Sequence, residues 1–159
     1  MKKTIFLSFF FFIGVLTFAQ EFDIQWLSNM SNYLSKQIRD IPDEYIQSPN
    51  SREIYERNLP NNIKECFIVK NNIIVGVMWV KKFSSRSTLY SEYDNCKALL
   101  INRFGRVILN SNGADLFNWN SRIITLVVDG NDIGIALVLP EAVGMSQYLW
   151  EKILETISE

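Results

Sequence analysis

Apolar and polar positions along this chain recur with two different periods, and the changes between them mark its elements. Over 24–39, Trp26 or Leu27, Met30, Leu34 and Ile38 return at helical spacing, and Pro42 stops the run. A short helix is expected over 49–58, with Ser48 as cap and Pro49 in its first turn. From Lys64 the period shortens. Residues 64–70 and 73–82 are β-rich runs joined by Asn71-Asn72, and asparagine tolerates the positive φ of a tight hairpin. In that register Cys66 stands opposite Val77, with Ile68, Val75 and Trp79 on its face. Residues 88–104 return to the helical period through Leu89, Tyr93, Cys96, Leu100 and Phe104, and Gly105 is placed to cap them.

The second half reads as hairpins and a closing helix. Residues 106–109 and 115–119 flank Asn-Ser-Asn-Gly, and 122–129 and 132–139 flank Gly130-Asn131. The latter turn pairs Val128 with Ile133, Leu126 with Ile135 and Ile124 with Leu137 on one heavily apolar face. The opposite face is lighter, pairing Val127 with Gly134, Thr125 with Ala136 and Ile123 with Val138. A slip of one residue would destroy that sorting. A calcium loop starting at Asp129 is a poor alternative, because Ile133 and Pro140 occupy positions that need side-chain oxygens. Met145, Leu149, Ile153 and Ile157 then predict a helix over 144–158. The pattern predicts an α+β fold: a largely antiparallel sheet of hairpins, packed by helices near 24–39, 88–104 and 144–158. No internal repeat stands out.

The first nineteen residues lie outside this pattern. Lys2 and Lys3 precede an uncharged, mostly apolar stretch, and Thr17-Phe18-Ala19 sets small residues before a cut ahead of Gln20. These are the three parts of a secretory signal, and the segment resembles bacterial export signals. The expectation is an exported protein, periplasmic or extracellular, with 20–159 as a single domain. Removing 1–19 leaves 14 basic and 17 acidic side chains, too acidic a balance for a nucleic-acid binder. No second apolar run approaches membrane-spanning length, so no stable membrane insertion is expected after cleavage. In an oxidising compartment Cys66 and Cys96 could pair, if the helix carrying one lies on the hairpin face carrying the other. The alternative is two separate buried thiols.

The chemistry open to the chain is narrow. It has no histidine, which removes the commonest general base, Ser-His-Asp and Cys-His arrangements, and imidazole metal sites. No cofactor or metal motif is present, and no catalytic residue can be named. A carboxylate pair could still serve a hydrolase of cell-wall or carbohydrate substrates, with Glu65, Glu92, Asp94, Asp115 and Glu141 as the acids set beside apolar residues. Lys81, Lys82, Arg86 and Tyr90, with Trp119 elsewhere, form the candidate interaction surface; such a basic run more commonly is a solvated strand edge. The expected function is a non-enzymatic binding protein, an inhibitor or immunity-type protein acting on a protein partner. An accessory part of an envelope assembly is the third reading.

Overall fold

The computed structural model describes residues 22–111 and 113–158; the expected export segment 1–19 lies outside them. Eight strands form one antiparallel sheet, in the order β1-β2-β3-β4-β8-β7-β6-β5. They are β1 (Ile46–Gln47), β2 (Ile54–Leu59), β3 (Ile63–Lys70), β4 (Ile73–Lys82), β5 (Leu109–Ser111), β6 (Ala114–Trp119), β7 (Arg122–Asp129) and β8 (Asp132–Val138). The helices are α1 (Ile24–Met30), α2 (Arg86–Phe104) and α3 (Gln147–Ser158). This is the α+β architecture that the hydrophobic pattern predicts.

The two faces of the sheet are packed differently. On one face Phe67, Val77, Trp79, Ile124, Leu126, Ile133, Ile135 and Leu137 form the main core with Leu27 of α1 and Leu89, Cys96 and Leu100 of α2. Helix α2 starts where the Ser85 side chain accepts from the Thr88 N–H, and it ends at Gly105 with φ 88°. On the other face α3 buries Trp150 against Ile123, Ala136 and Val138. The β7–β8 register is the one expected, from Val128 opposite Ile133 to Ile123 opposite Val138. Gly130 supplies its positive φ, 59°.

Four expectations are corrected. The first helix stops at Met30 instead of reaching residue 39. Beyond the end of β8, the backbone of β4 needs other partners, and residues 35–38 provide them. The Ser35 N–H donates to Ile74 O and the Ile74 N–H to Lys36 O, both at 2.8 Å, with Ser35 at φ 68°. Residues 49–58 are not helical: Ile54–Leu59 is strand β2, paired along its length with β3. Its alternation puts Tyr55, Arg57 and Leu59 on the main-core face. The strand expected at 106–109 is instead β5, Leu109–Ser111. The fourth correction concerns the cysteines. Ile68 faces Gly76 while Val69 faces Ile74, so Val75 is an extra residue in β4. The bulge moves Cys66 from Val77 to Met78 and turns it to the face away from α2. Cys96 lies on α2 in the main core, so the sheet stands between two buried cysteines with no disulfide between them.

The same bulge uncovers an internal symmetry. Each half runs helix, short strand and three-stranded meander, and the final strands β4 and β8 pair at the centre. Strands β3 and β7 have equal length and lie 59 positions apart. Across the central pair Gly76 faces Val138 and Val80 faces Gly134, while Val77 faces Leu137 and Trp79 faces Ile135. A pseudo-twofold axis between Met78 and Ala136 therefore exchanges Gly76 with Gly134 and Val80 with Val138. Identical residues also recur at Asn61 and Asn120, Val69 and Val128, Asn72 and Asn131, and Ile74 and Ile133. The repeat is hidden in the sequence because the bulge and a longer β2–β3 loop shift its spacing.

Candidate binding face and its cleft

Helix α3 covers only part of its face. Two rows of side chains cross the sheet there. Glu56, Cys66, Met78, Ala136, Thr125 and Leu116 form one, and Asn58, Lys64, Val80, Gly134, Val127 and Ala114 form the next. The first row runs beside α3. In the second, Val80 and Val127 are partly exposed on either side of the buried Gly134. This is the light face of the β7–β8 hairpin, extended over six strands.

At the β2–β3 end of that row lies a cleft of about 670 Å³. Asn58, Lys64, Val80, Lys82 and Asp132 form its walls, together with the turn residues 59–63. Asn61 and Asn62 hold that turn at φ 62° and 58°. The Lys64 ammonium reaches Glu56 at 3.1 Å, and the Lys64 side chain is 40% exposed, so the ion pair is readily exchanged. Lys82 is exposed. Asp132 stands opposite Lys82 across the β4–β8 pair, and its Oδ1 is buried with no hydrogen-bond partner.

The candidate surface residues do not gather in one patch. Lys82 belongs to the cleft. Lys81, one residue earlier, points to the other face and is 5% exposed, its ammonium 5.1 Å from the Phe83 ring centre. Arg86 and Tyr90 are exposed on the first turns of α2, on the main-core side of the sheet. Trp119 packs against Phe104, ring centres 5.3 Å apart, at the opposite edge. Asn58 was missed because β2 reads as helix, and Lys64 because the expected register sets it opposite Trp79 instead of Val80; Asn61-Asn62, a second copy of the Asn-Asn turn, is the signal that could have found them.

Two buried acids have their own partners. Glu65 accepts from Tyr45 Oη at 2.8 Å and from Arg57, whose other arm reaches Glu44 at 3.0 Å. Burial and the bond to Glu65 raise the Tyr45 phenol above its ordinary range. Burial would lower Arg57, but the bond to Glu65 and the surrounding negative charge outweigh it and raise the guanidinium. A cleft of about 380 Å³ opens beside this cluster, lined by Asn29, Tyr33, Lys36 and Arg57 among others. Asp115 accepts from Tyr93 at 2.6 Å, Asn110 at 2.7 Å and Lys97 at 2.8 Å. Burial would raise its carboxyl, yet these three donors together hold it below the usual value. Burial and the bond to Asp115 push the Tyr93 phenol up.

The two acids share one row, Glu65, Trp79, Ile135, Leu126 and Asp115. Four strand spacings separate them, about 19 Å at roughly 4.8 Å each. A glycosidase needs its two carboxyl groups about 5–10 Å apart. Both clusters tie strands to the elements above them, and in the first Arg57 spans the Glu65 and Glu44 carboxylates. Among the described residues no group of three or more acidic or cysteine side chains is placed to hold a metal ion, and no helix is long and apolar enough to cross a membrane. Comparison with protein-family models, curated proteins and solved structures found no match to this chain.

Proposed function

We propose that this chain is a small exported, non-enzymatic protein that binds a protein partner through the open part of its sheet, as an inhibitor or immunity-type protein would. One observation carries the reading: Val80 and Val127, on either side of the buried Gly134, are partly exposed apolar side chains, while α3 covers the neighbouring part of the same face. A broad, shallow surface of small apolar side chains rimmed by lysine and aspartate suits a protein surface. The separation of Glu65 and Asp115 weighs against a hydrolase that uses those two acids as its pair.

The test is affinity purification of the tagged 20–159 protein from the cell envelope, beside its Val127→Glu variant. Val127 is half-buried, so the variant should fold while placing a charge in the middle of the row. A stoichiometric protein held by the wild type and lost by the variant supports the proposal. Recovery of no partner across growth conditions, or equal recovery by both forms, overturns it.

A further inference from the structure

Arg57 and Glu65 are direct partners across β2 and β3, and the pseudo-twofold axis carries them onto Phe117 and Ile124, direct partners across β6 and β7. Phe117 and Ile124 are fully buried in the main core. The fold thus accepts an apolar pair at this position, and packing does not require a charged one. The acids around Arg57 also leave it incompletely satisfied. Glu65 and Glu44 each bond one terminal nitrogen of the guanidinium, and Nε is buried without a hydrogen-bond partner. Beside Arg57, on the main-core side of the sheet, opens the 380 Å³ cleft, whose apolar lining is Met30, Tyr33, Pro42 and Phe67.

We infer that this cleft takes a ligand with one carboxylate and an apolar, ring-sized body. Charge identifies the head group. Lys36 and Arg57 are the cations of the lining, Glu44 is its acid, and Glu65 balances Arg57 from within the sheet. With Glu44 in place the four charges cancel. Glu44 is the exchangeable member: its side chain is 53% exposed, and its bond to Arg57 at 3.0 Å is a surface pair of the weak kind. It occupies the place on Arg57 that a ligand carboxylate would take. When it turns away, Lys36 and Arg57 are left with Glu65 alone. The exposed Lys36 ammonium, 5.0 Å from the Tyr33 ring centre, has no carboxylate partner among the described residues. Size identifies the body. A cleft of 380 Å³ stands near the lower end of small-molecule sites, about 300–1,000 Å³, and its buried lining, Met30, Tyr45 and Phe67, is apolar or aromatic. A free aromatic acid and the C-terminal residue of a chain share this chemistry. The cleft lies across the sheet from the α3 face and is independent of the partner-binding reading.

The test is an amide-shift titration of the folded 20–159 protein with phenylacetate, which represents a free acid, and with N-acetylphenylalanine, which represents a chain end. At least one should bind saturably, with shifts centred on Tyr33, Lys36 and Arg57. The corresponding uncharged amides, phenylacetamide and N-acetylphenylalaninamide, should bind about tenfold or more weakly. Lys36→Glu should weaken binding of the acids. Glu44→Gln should tighten it about two- to fivefold, the worth of the exposed pair it removes. Both residues are exposed, so both variants should fold. Binding of phenylacetate assigns a free acid, and binding of N-acetylphenylalanine alone assigns a chain end. Saturable binding of neither acid, equal binding of acid and amide, or shifts centred elsewhere would overturn the inference. A Glu44→Gln variant that binds no better than the wild type would overturn it as well.

Discussion

Gly76 and Gly134 occupy equivalent positions, so the same substitution at each measures what α3 does to its part of the sheet. A β-carbon at Gly76 would lie 2.8 Å from Val138 Cγ1 and 3.1 Å from Ile68 Cδ1. Carbon atoms prefer about 3.5–4.0 Å, so these neighbours must move. Val138 is 4% exposed and packs in the cluster around Trp150, so it has little room to do so. Overpacking of this kind costs about 1–3 kcal/mol, and replacing glycine in a strand returns about 0.5–1 kcal/mol. Gly76→Ala should therefore destabilise by about 1–2 kcal/mol. At Gly134 the sole close neighbour is Val127 Cγ1 at 3.2 Å, on the half-buried row where it can rotate. There the two effects nearly cancel, leaving a change within about 0.5 kcal/mol. Urea unfolding should show a lower midpoint for Gly76→Ala, an almost unmoved one for Gly134→Ala, and a common slope. Adding Val138→Ala should recover part of the Gly76→Ala loss in a double-mutant cycle. Equal losses at the two glycines would refute the claim that the sheet is packed more tightly beneath α3 at Gly76 than at Gly134.

Three further outcomes follow from the geometry. Ser121 sits at φ 62° in the β6–β7 turn, so Ser121→Gly should stabilise by roughly 0.5–1 kcal/mol and raise Tm by a few degrees in a thermal melt. The Asp115 carboxyl titrates below its ordinary value in the folded protein, so its stabilisation is present above about pH 4 and is lost as pH falls through the folded value. Asp115→Asn should cost about 1–3 kcal/mol at neutral pH and flatten the acid limb of stability against pH; an unchanged acid limb would remove Asp115 as its cause. Burial pushes the Cys66 thiol up to about 12, and Cys96 lies across the sheet. Without reductant, the native protein should resist alkylation and the denatured protein should gain two alkyl groups by mass; a dependence on reductant would contradict the β3–β4 register.

How far the sequence could be read depended on whether a strand's alternation was visible. In β7 and β8 the heavy and light faces differ at every pair, and Gly130-Asn131 fixes the turn, so the register was legible before the structure. In β4 the run Ile-Ile-Val-Gly-Val-Met-Trp-Val is apolar at both parities, and an extra residue leaves no mark in it. What stabilises the bulge is remote in sequence: the Leu139 N–H donates to Val75 O at 2.8 Å. Strand β2 was hidden for the opposite reason. Its outward residues Glu56 and Asn58 are polar, and its inward Arg57 sits on the core face because Glu65 and Glu44 meet it. Propensity cannot foresee that partnership.

The candidate site shared the fate of those two strands. Lys82 stood among the sequence candidates, but the groups that give it meaning, Asn58 and Lys64, lie on the strand read as a helix and on the strand whose register the bulge shifts. Removing Val75 from the count aligns Gly76 with Gly134 and Val80 with Val138, and only then do the two halves correspond. The bulge sets Cys66 and Val80 on one face of the sheet, with Cys96 on the other. An unbulged β4 would pair Cys66 with Val77 and put Cys66 and Val80 on opposite faces, so one of the two would turn to the main core. The alkylation measurement tests that register.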